Sequence, residues 1–459
     1  MAKSEIRDFT QGSITRQLAV FAAPLFLSNL LQVVYNMADM MIVGNVAGQT
    51  GLSAVSVGGD VANFMTFVGM GFANAGQVIM SQYIGAGRRD LLSRFVSTMF
   101  TFLMLCAAAI SVVCILLRDP ILRLMNVPEE AYTQALAYST ICMAGLVFIY
   151  GYNIVSAVLR GMGDSRHPFI FISIAAVLNV ALDILFVWGM DMGAGGAALA
   201  TVISQGVSFI ASGIFLLRCQ ERFELHLRKE NFLRLDREML DPLVRLGTPM
   251  AIKSASIMFS KLFVNSWINS YGVSVSAFAG IANKFVSISN LLSTALNTAG
   301  SSMVGQNIAA RKYDRVLQIM VNLGVITFTM AAVIGLAIWR FPLQIFGIFT
   351  DEPAVLRIGL EYVPIAVLIF FGSAARCPMN ALINGSGNYR INFATAILGG
   401  IIMRIGLALV FGLVMEMRYL GFWLGDAVAG FTPFVIGTVF WFSGRWKAQT
   451  LVQTEKQIQ

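Results

Sequence analysis

The feature that most constrains this chain is a rhythm of apolar runs, roughly 20 to 27 residues each, set between short clusters of charge. A run of that length crosses a hydrocarbon core of about 30 Å as a helix. Twelve spans are expected, near 17–44, 53–82, 95–117, 132–158, 168–189, 194–217, 243–270, 276–305, 316–339, 355–384, 391–414 and 419–443. Charged residues are 12% of the 459 and apolar ones 57%, about half the charge of a soluble domain. The expected fold class is an all-α polytopic membrane protein with twelve transmembrane helices.

Lys and Arg set the orientation. With the N-terminus inside, the inner segments hold about 22 basic residues against roughly 5 outside, so the positive-inside rule places both termini in the cytoplasm. The net charge of +8 is thereby explained by topology, and no nucleic-acid partner is expected. The opening MAKSEIRDFTQGSITRQ is polar, and no small-residue cleavage site follows closely, so a removable signal peptide is not expected. Cys106, Cys114, Cys142, Cys219 and Cys377 have no CxxC spacing and read as small buried apolar groups rather than disulfides or a metal site. His167 and His226 are the only histidines, which leaves little for His-based catalysis.

The two halves repeat. Pro24 answers to Pro249, Gln82 to Gln306, and Arg118-x-Pro120 to Arg340-x-Pro342. The most specific match is Gly161-x-Gly163-Asp164-x-Arg166, which returns as Gly385-x-Gly387-Asn388-x-Arg390. Six spans per repeat is an even number, so the halves share one orientation and are expected to be related by a pseudo-twofold axis along the membrane normal. The expected organisation is an N-terminal lobe at 1–217 with spans 1–6, a cytoplasmic linker at 218–242, and a C-terminal lobe with its tail at 243–459. No Gly-Lys dipeptide occurs, so a Walker A loop is excluded and transport would run on an ion gradient. GMGFANAG at 69–76 lies inside an apolar run with no strand before it, which favours close helix packing over dinucleotide binding.

Ionisable side chains inside a span cost a few kcal/mol and point to function. Here they are Asp39, Asp60, Asp183, Lys253, Lys261, Lys284, Arg376 and Arg404. Asp39 and Asp183 lie at similar depth near the outer ends of spans 1 and 5. Tyr35 shares a helix face with Asp39, and Asn179 shares one with Asp183, both at i, i+4. Thr201 in span 6 can add a hydroxyl. Such oxygens suit Na⁺, and a buried Asp suits H⁺; hydrogen bonding between helices is the structural alternative. The matching positions of the second repeat fall near Val264 and Leu407, so the ion site is expected in the first lobe alone.

Spans 2 and 8 carry polar stripes that include Asp60, Asn63 and Thr66 in one and Lys284, Ser287, Asn290 and Thr294 in the other. A polar stripe in a lipid-embedded helix faces protein or water, so these residues are expected to line a substrate cavity. Asp60 and Lys284 are repeat mates of opposite sign and form a candidate outer gate. Lys253, Lys261 and Arg376 also join the candidate cavity residues, on the expectation that the second lobe holds no intramembrane acid. Lys253 and Arg404 are alternatively read as snorkelling to the inner surface.

Together with the twelve-span repeat, PLFLSNLLQVVYNMADMMIVGNVAG in span 1, LRGMGDSRHP after span 4, LNVALDILFVWG in span 5 and AGIANKF in span 8 resemble the multidrug and toxic compound extrusion (MATE) family. Within it, the acids of the first lobe are similar to the DinF-like branch that includes MepA-type exporters. The resemblance covers nearly the whole chain. It implies export of drugs or amphipathic small molecules by alternating access, coupled to H⁺ or Na⁺, in a bacterial inner membrane, by a monomer that needs no cofactor beyond the transported ion. Carried over by motif, it implies a cation network of Asp39, Tyr35, Gln32, Asn153, Asn179, Asp183 and Thr201, with Pro24 as a bending point. The basic second lobe departs from the common pattern and favours anionic or zwitterionic cargo. A flippase for lipid-linked anions, an intramembrane enzyme and a passive channel are the rival readings.

Overall fold

A computed structural model describes residues 5–447 apart from 126 and 234; Lys3, Arg234 and Lys456 of the basic inner segments lie outside these. Among the described residues the regular structure is helical, and it is helical for the reason the sequence gives: in hydrocarbon every backbone N–H and C=O must find a partner within its own segment. The helices are α1 (Ile14–Gly85), α2 (Leu92–Leu116), α3 (Arg118–Leu124), α4 (Glu129–Ala144), α5 (Leu146–Gly161), α6 (Arg166–Asp183), α7 (Gly193–Arg218), α8 (Arg237–Asn269), α9 (Val273–Ala309), α10 (Tyr313–Arg340), α11 (Pro342–Gly347), α12 (Pro353–Gly385), α13 (Tyr389–Ala394), α14 (Met403–Leu409), α15 (Arg418–Ala429) and α16 (Thr432–Phe442).

Twelve spans follow from these elements. At 72 residues, α1 is more than three times the length needed to cross a bilayer, and its backbone leaves helical angles at Gly48 (φ 63°, ψ −156°), so it holds spans 1 and 2. The corresponding break between α8 and α9 falls at Gly272 (φ 114°). Span 4 is α4 and α5 together, bent by 45° at Gly145. α8 spans the membrane although Lys253 and Lys261 lower its hydropathy. Spans 5 and 11 pass from α-helix into wider π turns, at Ile184–Gly189 and at Thr395–Ile402 and Val410–Val414. Pro24 lies within α1, where the only residue outside helical angles is Gly48.

The chain falls into two compact units. One comprises residues 5–8 and Ala23–Gly247; the other comprises Phe9–Ala22 and residues 248–447. Thus the first turns of α1 belong with the second unit, where the Phe9 amide donates to Gln306 Oε1 (2.9 Å) and Asn307 Nδ2 to the Phe9 carbonyl (3.1 Å). The polar segment after α7 belongs with the first unit, held by Arg222–Glu5 (3.0 Å), Arg89–Glu224 (2.5 Å) and Arg94–Asp236 (2.5 Å).

Each unit repeats the backbone irregularities of the other. Positive φ occurs at Gly48 and Gly272, Gly87 and Arg311, and Gly163 and Gly387, each pair 224 residues apart, then at Asp191 and Glu416 and at Gly193 and Arg418, each 225 apart. One residue has therefore been inserted in span 11 relative to span 5. The glycine motif explains itself as a helix stop and restart. Gly163 (φ 87°) ends α5, and Asp164 Oδ1 accepts from the amides of Arg166 and His167 to start α6. Gly387 (φ 69°) and Asn388, which accepts from the amides of Arg390 and Ile391, repeat the device before α13. The glycines of 69–76 are packing residues: a Cβ on Gly69 would lie 2.3 Å from the Tyr150 ring and one on Gly76 2.3 Å from Met99.

Candidate ion-binding site

In the first unit Asp39, Asn179 and Asp183 are buried and Thr201 is half-buried; Asn179 and Asp183 are one turn apart on α6, and Asp39 lies near enough for its charge to act on Asp183. Asp39 is 7% exposed, Asn179 1% and Asp183 0%. Asp183 closes α6 at the point where the helix widens into the π turn, so its carboxylate is positioned by a local change of helix geometry of the kind that recurs at functional sites. Asn179 Nδ2 donates to Thr201 Oγ1 at 3.4 Å, which ties α6 to α7. The charge of Asp39 acts on Asp183 and on Tyr35, and Tyr138 lies within the field of both carboxylates.

Four acceptor oxygens in this group are buried and accept no hydrogen bond: Asp39 Oδ1, both carboxylate oxygens of Asp183, and Asn179 Oδ1. Buried polar atoms are normally paired, and leaving two neighbouring carboxylates ionised and unpaired in a low dielectric costs several kcal/mol. A proton on one carboxyl or a small hard cation among the oxygens removes that cost. The donor set is all oxygen, which fits Na⁺ and offers nothing to a soft metal.

The other residues of the expected network are less engaged. Gln32 lies two turns before Asp39 on the same face of α1 and is half-buried. Asn153 uses its Nδ2 on the Ile149 carbonyl of its own helix (2.9 Å). Of the expected cavity residues, Thr66 and Ser287 turn their hydroxyls back onto the carbonyls of Ala62 and Asn283, and Asn63 and Thr294 are exposed. Asp60 and Lys284, the expected gate, are both exposed within their own units.

The second unit corrects the expectation that it holds no intramembrane acid. Asp426 on α15 forms an ion pair with Arg404, which is 6% exposed on α14. Arg404 therefore does not snorkel; it is retained in the interior by a carboxylate. Lys253 donates to Asn380 Oδ1 (2.8 Å), and Arg376 donates to Asn290 Oδ1 (2.6 Å) and Ser373 Oγ (3.1 Å), so these two cations and Asn290 are fixed by neighbours rather than free to meet cargo. Lys261 differs: among the described residues it makes no hydrogen bond or close ion pair, and it feels Asp426, Arg404 and Arg376 through their fields. It lines a small pocket with Val264, Asn265, Asn283, Tyr362, Trp423 and Asp426 among its walls.

Asp426 escapes the sequence reading: it lies only eight residues after Arg418, near the outer edge of span 12, where a charge is ordinarily solvated. The available signal was arithmetic. The separation of Arg404 from Asp426 is 22 residues, as is that of Asn179 from Thr201, and each member lies 225 positions beyond its counterpart.

The MatE family model matches this chain twice, at residues 24–185 and 249–410. The chain is 29% identical over 98% of its length to the probable multidrug resistance protein YpnP of Bacillus subtilis, covering 99% of that protein. It is 28% identical to the probable multidrug resistance protein YoeA of the same organism, with 92% of each chain covered. Among solved structures, an outward-facing multidrug resistance MATE family transporter of the MOP superfamily matches with a TM-score of 0.88 at 20% identity, over 98% of this chain and 99% of that one.

Proposed function

Because the chain belongs to the MatE family of membrane transporters, we propose that it is a cation-coupled antiporter that exports drugs or other amphipathic small molecules by alternating access. The coupling ion is H⁺ or Na⁺, the membrane is a bacterial inner membrane, and the basic inner segments place both termini in the cytoplasm. The multidrug resistance names of its relatives support the cargo class.

The observation that carries the reading is the set of buried oxygens on Asp39, Asp183 and Asn179 without hydrogen-bond partners. An ion can drive a conformational change only by binding one state more tightly than another. Two adjacent carboxylates meet that need. When the site opens outward, an entering cation neutralises them and removes the cost of their burial; when it opens inward, hydration of the carboxylates favours release. Asn179 and Thr201, bonded to each other across α6 and α7, supply neutral oxygens. No covalent step is needed, in keeping with a protein that moves its substrate unchanged.

Proteoliposomes under imposed pH and Na⁺ gradients test this. Wild type should drive efflux of a cationic dye under at least one gradient, and Asp183→Asn, although folded, should not. Gradient-driven efflux that persists in Asp183→Asn sinks the assignment.

A further inference from the structure

We propose that the pocket of the second unit around Lys261 is an anion-binding site for the carboxylate, sulfonate or phosphate head of an amphiphile, and that it is the repeat image of the first unit's cation site with its charge reversed. The proposal is independent of ion coupling and rests on the residues of the second unit alone.

The correspondence is read residue by residue. Beyond the one-residue insertion, Asn179 and Thr201 answer to Arg404 and Asp426, and the hydrogen bond of the first pair becomes the ion pair of the second. Ahead of it, in the register that pairs Pro24 with Pro249, Asn36 answers to Lys261 and Asp39 to Val264, each 225 residues on, while from Gly48 onward the offset is 224 and Tyr138 answers to Tyr362. Asp183 falls opposite Ala408. Where the first unit buries two carboxylates among neutral oxygens, the second has Lys261, Arg404 and Asp426, a net positive charge, with Arg376 adding to the field.

Lys261 is the unspent group. Asp426 also lines the pocket, and a bare carboxylate there would repel an anion, but its Oδ1 is taken by Arg404. Arg404 Nε is buried and donates to nothing, so the ion pair retains a donor of its own. The amides of Asn265 and Asn283 line the same pocket and can donate to acid oxygens. The remaining walls, Val264, Ile268, Val286 and Ile369 with the rings of Tyr362 and Trp423, are apolar and largely buried, so a negative head at Lys261 would meet a low-dielectric surround, and an apolar body joined to it would extend toward the open side of the pocket. A cation would face Lys261 at close range, and the carboxylate that lines the pocket, Asp426, is already paired with Arg404, which argues against a cationic occupant.

The test is equilibrium binding to the purified full chain in zwitterionic micelles with no gradient imposed, using 1-naphthoate and its neutral amide, 1-naphthamide. The wild type should bind the acid about tenfold more tightly than the amide, as one charge-assisted contact allows. Lys261→Gln should reduce the preference to less than about twofold, and Lys261→Arg should restore it, which separates loss of charge from loss of fold. Short-chain phosphatidylglycerol added to the micelles distinguishes the sources: competition with naphthoate in wild type but not in Lys261→Gln assigns the head group to lipid, and its failure to compete assigns it to a water-borne anion. Equal affinity for acid and amide in wild type, or a preference that survives in Lys261→Gln, overturns the proposal and leaves the role of Asp183 untouched.

Discussion

At the scale of single residues, the protein treats buried charge in two ways. Asp39 and Asp183 are left without partners, whereas Arg404 and Asp426 are given to each other. Removing Asn179 should weaken ion binding without abolishing it: Asn179→Ala should raise the coupling-ion concentration needed for half-maximal efflux by about tenfold, the effect of about 1.4 kcal/mol, and an unchanged requirement would exclude Asn179 from the site. The Arg404–Asp426 pair should follow the rule for buried ion pairs. Either Arg404→Met or Asp426→Leu alone should cost about 3–5 kcal/mol because each strands a charge, and the double variant should recover most of the loss. Thermal unfolding in detergent reads this directly; single variants as stable as wild type would mean that water reaches the pair. The acids at Asp39 and Asp183 were legible in the sequence because a carboxylate inside an apolar run has few harmless explanations. Asp426 was not, since a charge near a span border is usually solvated, and only its distance from Arg404 shows otherwise.

At the scale of elements, helix ends and close approaches carry the specificity. The Gly163-Asp164 and Gly387-Asn388 turns could be located from sequence by their repetition, but their role as stops and caps becomes clear only from the left-handed glycine angles and the hydrogen bonds to the following amides. Gly163→Ala and Gly387→Ala should each cost about 1–2 kcal/mol, the penalty for placing a Cβ in left-handed backbone, with a matching drop in the detergent melting temperature; no drop would mean that the turn has another conformation to hand. Gly425→Ala should be worse. Its Cβ would fall 2.4 Å from the Ala408 backbone nitrogen, and because backbone cannot rotate aside, α14 and α15 would have to separate. Span 4 shows where sequence reading stops short: an unbroken apolar run predicts one straight helix, whereas Gly145 packs against Val202 where α4 ends and α5 begins.

At the scale of the whole molecule, duplication was visible in the sequence as motifs 222 to 225 residues apart, and the structure repeats it in the backbone angles. The first turns of α1 group with the second unit and the polar segment after α7 with the first, which a division into N-terminal lobe and linker does not convey, because hydrophobic periodicity says which residues are buried and not against what. That segment has its own test. Burial opposes ionisation of Asp236, yet hydrogen bonds from the Arg94 guanidinium and the Glu238 amide outweigh it and hold the carboxyl below its usual value of 3.8. A group depressed in this way contributes stability above its unfolded pKa, and that contribution fades as pH falls through the lower folded value. Asp236→Asn should therefore speed proteolysis within 218–242 at neutral pH, and the wild-type segment should become comparably labile only below about pH 3.8; equal cleavage of both proteins at neutral pH would show that Arg94 does not secure it. The central claim concerns the first unit, and the most direct measurement is coupling-ion binding itself: calorimetry with NaCl at fixed pH, together with proton uptake followed by an indicator in unbuffered detergent solution. Wild type should show Na⁺ binding or proton uptake that disappears in the Asp39→Asn/Asp183→Asn double variant, whereas an undiminished signal in that variant would contradict the account.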